Sequence, residues 1–144
     1  MSVPVSKRKV GTLEVVKVAR NVAAMTTRLC SKEKFIRKRY RWRAGKMADC
    51  ADEILLLITD ANHVNVRKDQ DNFILNSHIC DRNKILAEAY RQTYRLEELM
   101  EIAIDVNRSV VSNQDNQRIL NNWIKQIRTL RVLIRGMKME MVYC

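Results

Sequence analysis

Glycine and proline are scarce in this sequence, three and one in 144 residues. With so few breakers, and with much Leu, Ile, Ala, Glu, Lys and Arg, the chain reads as all-α. No apolar run approaches the roughly 18 residues a membrane span needs, so no membrane partner is expected. The first residues, MSVPVSKRKVG, lack the apolar core of a signal peptide. Cys30, Cys50, Cys80 and Cys144 form no CxxC pair and have no metal-type spacing. They are expected to be reduced structural thiols of a cytoplasmic protein. There is no Gly-rich phosphate loop. His63 and His78 sit in no HExxH or related arrangement. Asp49, Asp52 and Glu53, and likewise Glu97, Glu98 and Glu101, lie one helical turn apart. Neither set has the Glu-x-x-His partner of helical carboxylate metal sites, so solvated acidic faces are the expectation. No cofactor, no metal and no enzymatic activity are expected.

Positive charge, by contrast, is abundant. The net charge is +11, and it is unevenly spread. Residues 1–46 hold fourteen Lys/Arg and two Glu, a net of +12. Residues 47–106 carry a net of −6 and residues 107–144 a net of +5. A basic–acidic–basic chain suggests a surface for a polyanion and an acidic surface for something else. Mutual neutralisation between neighbouring helices is the alternative.

The chain is organised around residues 35–62. Arg37, Lys38, Arg39, Arg41, Arg43 and Lys46 fall within ten residues, interleaved with Tyr40 and Trp42. Apolar or small residues then recur at 40, 44, 47, 51, 54, 58 and 61, the seam of a helix packing into a bundle. Arg supplies bidentate contacts to phosphate and Lys a point charge. Trp42 is a candidate to stack on unpaired bases; Tyr40, lying in the seam, is read as packing.

Four helices follow from periodicity. Residues 1–11 read as a basic disordered arm and residues 12–144 as one domain. Thr12 is the expected N-cap of the first helix, whose seam is Val15, Val18, Val22, Met25 and Leu29. The second helix is expected over about 39–62 and the third over about 70–107. The third has an inner stripe of Leu75, Ile79, Leu86, Ala89, Thr93, Leu96, Met100 and Ala103. The fourth, about 113–139, repeats Leu120, Trp123, Ile127, Leu130, Ile134, Met137 and Met141 in unbroken steps of three and four. Short connections make an antiparallel up-down-up-down four-helix bundle the default. On the fourth helix Arg118, Lys125, Arg128, Arg131 and Arg135 are placed away from the seam at 100° per residue. No acid on that helix lies between Asp115 and Glu140. Leu55 and Leu57 lie off the second helix's seam and give it a second apolar face, read as an oligomer interface.

The residues also resemble a known family. Tyr40-Arg41-Trp42, then Gly45, the long apolar helix and Ala61-Asn62 at its end resemble the second helix of the Avd proteins. These are the accessory variability determinants of diversity-generating retroelements, and they are four-helix bundles. Trp123-Ile124-Lys125 and Leu133-Ile134-Arg135-Gly136 are similar to that family's final helix. The resemblance covers most of residues 12–138; Met137 stands where the family tends to place Trp. It implies a non-enzymatic homopentameric barrel that binds a reverse transcriptase and its template RNA and supports mutagenic cDNA synthesis. RNA or single-stranded DNA is then expected on Arg37, Lys38, Arg39, Arg41, Trp42, Arg43 and Lys46, joined by Lys125, Arg128, Arg131 and Arg135. Two alternatives stand beside it. One is a structural adaptor, or a relative of the bundle proteins encoded in intervening sequences of bacterial 23S rRNA genes, with a basic face for an acidic partner. The other is a small helical enzyme acting on an anionic metabolite.

Overall fold

A computed structural model of the chain describes residues 5–141, with side chains from Glu14 onward except at residue 111. The described residues are all-helical, with four α-helices and no strand, compatible with a four-helix bundle. The helices are α1 (Val5–Ser31), α2 (Arg41–His63), α3 (Asn72–Val106) and α4 (Gln114–Gly136). Short 3-10 turns at Lys38–Tyr40 and Arg108–Ser112 lead into α2 and α4. α1 packs against α2 and α4, and so does α3. α2 and α4 therefore stand diagonally across a shared core.

The seams on α2 and α3 are buried as their spacing predicts, and so is that of α4 as far as Met137; α4 ends at Gly136, and Met141 beyond it is half-buried. Ala44, Met47, Ala51, Ile54, Ile58 and Ala61 of α2 all face the core, with Tyr40 half-buried beneath the first turn. The whole inner stripe of α3 is buried. On α4, Leu120, Trp123, Ile127, Leu130 and Ile134 are buried and Met137 follows just past the helix. Asn113 caps α4: its side-chain oxygen accepts from the Asp115 and Asn116 amides at 2.8 and 3.3 Å. That satisfies two donors that the first turn leaves without a partner.

α1 departs from expectation at both its start and its seam. The helix begins at Val5, so residues 5–11, read as a disordered arm, continue it instead, and Thr12 is not its cap. Gly11 is passed at a cost of about 1 kcal/mol relative to Ala. Residues 1–4 and the side chains of Lys7, Arg8 and Lys9 lie outside the described residues. The buried row is Val15, Ala19, Val22, Thr26 and Leu29, with Ala23 beside it, while Val18 and Met25 are half-buried. The small residues in that row let the neighbouring helices approach closely, as packing of ridges into grooves requires.

Beyond α4 the chain is held against the first half of α3. Asn83 donates to the Met139 carbonyl at 2.7 Å and accepts from the Met139 amide at 3.1 Å. Arg82 donates to the Met137 carbonyl.

Candidate nucleic-acid interface

The connection from α1 to α2 is built to hold its backbone still and its cations outward. Phe35 and Ile36 are buried and plug the space below it. Their segment is fastened by backbone bonds from the Phe35 and Ile36 amides to the Lys32 carbonyl, at 3.0 and 3.1 Å. The buried Asn107, just after α3, donates its side-chain amide to the carbonyls of Lys34 and Phe35 at 3.4 and 3.5 Å. With the apolar pair turned inward, Arg37, Lys38, Arg39 and Arg41 are exposed. Residues 28–46 carry nine Lys/Arg against one acid, Glu33. Among the described residues, none of Arg37, Lys38, Arg39 and Arg41 lies within ion-pair distance of a carboxylate. Exposed and uncompensated, these charges create a strong local positive potential.

Trp42 stands at the edge of this group, 54% exposed. The Arg43 guanidinium lies 4.6 Å from the centre of its ring and the Lys46 ammonium 5.4 Å. Both distances are in cation–π range. The tryptophan thus gathers two of the cations, and a base stacking on it would share the ring with them. Tyr40 packs against the core, in keeping with the packing role its seam position predicts.

The α4 cations are arranged differently from the solvated, acid-free face read from that helix alone. Glu97 of α3 lies 3.0 Å from Arg131 and 3.9 Å from Arg128. Arg131 also donates to the Thr93 hydroxyl at 3.0 Å, and its guanidinium sits 3.7 Å from the Tyr94 ring centre. Only 12% of its side chain is exposed. Arg135 donates to the Tyr90 hydroxyl at 3.3 Å. The Tyr90 and Tyr94 hydroxyls lie 3.4 Å apart, and that bond is the first cause holding the Tyr94 hydroxyl above its usual pKa. Arg131 is therefore a half-buried link between α3 and α4, not a free cation. Lys125 and Arg128 are exposed.

Arg131 is set apart from the connection between α1 and α2. Asn107 joins that connection at Lys34 and Phe35, whereas Arg131 lies against Thr93. At 1.5 Å per residue these points are about 20 Å apart along α3, and α2 and α4 occupy opposite corners of the helix packing. The acidic residues of α3 divide as well. Asp81, Glu98 and Glu101 are exposed, while Glu97 turns to α4. Glu88 accepts from Gln92 at 2.9 Å and pairs with Arg91, and these bonds hold its carboxyl below the usual range.

Leu55 and Leu57 are half-buried and pack at the margin of the core, while Leu56 between them is 57% exposed. His63 is exposed, and His78 lies 3.3 Å from the Gln70 side-chain oxygen. Cys30, Cys50 and Cys80 are free thiols; Cys144 lies outside the described residues. Among the described residues no three His, Cys, Asp or Glu side chains gather in a metal-binding set. No helix there is long and apolar enough to cross a membrane.

Sequence reasoning missed Glu97, Tyr90 and Tyr94 as partners of the α4 arginines, and Asn107 as the clamp on the basic connection. Tyr90 and Tyr94 fall one turn apart on α3, as Arg131 and Arg135 do on α4. That shared spacing lets the two pairs meet once the helices are docked, but it does not by itself say that these α3 residues face α4. No protein-family model matches this chain, and neither a curated protein nor a solved structure matches it.

Proposed function

We propose that this chain is a non-enzymatic nucleic-acid-binding subunit that takes RNA or single-stranded DNA on the Arg37–Lys46 surface. The observation that carries the reading is the exposed group Arg37, Lys38, Arg39 and Arg41, with no carboxylate within ion-pair reach among the described residues. Acidic groups would quench such a surface if its role were internal neutralisation, as Glu97 does at Arg131. An unpaired guanidinium fits a phosphate, as it does a carboxylate, through two parallel hydrogen bonds. The Avd resemblance narrows the role to an accessory subunit of a cytoplasmic reverse transcriptase and its template RNA.

An antiparallel up-down-up-down course belongs to the same proposal. It is supported by the order of bonds between α3 and α4, where Arg82 reaches Met137, Arg135 reaches Tyr90 and Arg131 reaches Thr93 and Glu97. As one number rises the other falls. Assembly into a barrel-like homopentamer is proposed on the resemblance.

The test is the salt dependence of binding to labelled single-stranded RNA. Backbone neutralisation gives a log–log slope of about −0.7 per phosphate contact. Changing Arg37, Arg39, Arg41 and Arg43 together to Ala should abolish binding. Affinity indifferent to salt, or unchanged in that variant, would refute the reading and favour a structural adaptor. Co-purification with a reverse transcriptase encoded beside it tests the narrower role.

A further inference from the structure

A groove runs between the last turns of α1 and the first turns of α2, beside the basic group. Its volume is about 400 Å³. Its lining combines the uncharged side of Thr27, Cys30, Ala44, Gly45 and Ala48, taken as its floor, with the cations Arg37, Lys38 and Arg41. Glu33 is the one acid on its lining. Burial pushes the Cys30 thiol up to about 11, so the floor adds no charge at neutral pH. At Gly45 a Cβ atom would meet nothing within 4 Å, so the helix face is open there.

A groove with a smooth uncharged floor and three cations on its edge suits a ligand that is flat and apolar in the middle and anionic at its ends. A nucleotide has that form. The volume lies at the lower end of the range for small-ligand pockets, about 300–1,000 Å³. A base in a duplex has both faces stacked on its neighbours, so only an unpaired base can offer a face to such a floor. We propose that this groove holds one unpaired base of a single-stranded nucleic acid, against Gly45 and Ala48, with its flanking phosphates on Arg37, Lys38 and Arg41. The proposal rests on the nucleic-acid reading above and adds to it a preference for single strands over duplex.

Gly45 supplies the test, because it lines the groove and a Cβ placed there would meet nothing within 4 Å. Wild type, Gly45→Ala and Gly45→Leu are compared by fluorescence anisotropy, with circular dichroism melts to check folding. The probes are single-stranded RNA of mixed sequence, a duplex RNA of equal length, polyphosphate as a base-free polyanion, and polyglutamate. Wild type should bind the single strand more tightly than the duplex. Gly45→Leu should lose that advantage while its affinity for polyphosphate and duplex, and the salt slope, stay unchanged. Gly45→Ala should fall between wild type and Gly45→Leu. Photo-crosslinking of thiouridine-labelled single-stranded RNA to the wild type needs no variant, and should map to residues 27–48. Unchanged single-strand binding by Gly45→Leu, with crosslinks elsewhere, would overturn the groove proposal while leaving the cationic surface intact. A loss confined to polyglutamate would overturn it in favour of an acidic protein segment. A wild type that binds no RNA removes the underlying reading along with the groove.

Discussion

The Trp123 indole N–H donates to the Thr26 hydroxyl at 2.8 Å, and both side chains are fully buried. The same hydroxyl donates to the Val22 carbonyl at 2.7 Å. One threonine thus accepts from α4 and donates within α1, satisfying the polar end of the largest buried side chain. Thr26→Val keeps the shape and removes the acceptor, leaving a buried N–H without a partner. The variant should lose about 1–3 kcal/mol in urea unfolding. Thr26→Ser, which restores the hydroxyl, should lose less.

Arg131 and Arg128 share Glu97 but not its consequences. Arg131 is 12% exposed and Glu97 20% exposed, while Arg128 is 69% exposed. Arg131→Ala leaves a mostly buried carboxylate and the Thr93 hydroxyl without their donor. It should lower stability by about 1–3 kcal/mol. Arg128→Ala removes a 3.9 Å solvent-screened pair and should cost under about 1 kcal/mol. Thermal melts of the two variants separate the roles, and RNA titration of Arg131→Ala should stay near wild type.

These two pairs also mark what the sequence could reveal. The α3 and α4 stripes were legible because large apolar residues repeat on one helix in steps of three and four, a property of that helix alone. The α1 seam was less so, because Ala19, Ala23 and Thr26 carry little hydropathy and Val18 and Met25 carry more. The charged surface was legible near Arg37–Arg41, where the whole neighbourhood is basic. It was not legible on α4, because which α3 residue meets Arg131 depends on the rotation of two helices about each other. Spacing within either helix does not contain that rotation.

Stability should fall at high pH through two thiols. Burial pushes Cys30 and Cys50 from about 9 to about 11; for Cys50, Arg95 pulls the other way and Glu53 adds to the rise. Between those values the unfolded chain has lost the proton and the folded chain keeps it. Folding stability therefore holds below about pH 9 and declines as pH rises toward 11. Urea midpoints at pH 8, 9.5 and 10.5 should drop in wild type, and less steeply in a Cys30→Ala, Cys50→Ala double variant. Equal slopes would show that other groups govern the decline.

Assembly can be tested at three adjacent leucines. Leu55 and Leu57 pack at the core margin, so Asp at either position should lower the melting temperature of the protomer itself. Leu56 is mostly exposed, so Leu56→Asp should leave helicity intact. If the proposed homo-oligomer uses this face, sedimentation of Leu56→Asp should show dissociation where wild type is assembled. Wild type sedimenting as a monomer at micromolar concentration would count against the Avd-like role.

Trp42 offers the sharpest reading of how the basic surface engages its ligand. Trp123 is buried and Trp42 is 54% exposed, so soluble quenchers should reach Trp42 alone of the two tryptophans. Single-stranded RNA should protect that emission. The ring already faces Arg43 and Lys46, so a stacked base would meet an aromatic surface with cations beside it. Trp42→Ala should weaken single-strand binding by about 1–3 kcal/mol while changing the salt slope little, because it removes stacking and no charge. Trp42→Phe, which retains a flat ring, should recover part of the loss. A Trp42→Ala variant whose affinity is unchanged, in a protein whose arginine variants still lose binding, would assign recognition to the phosphate backbone and leave the tryptophan as a support for Arg43 and Lys46.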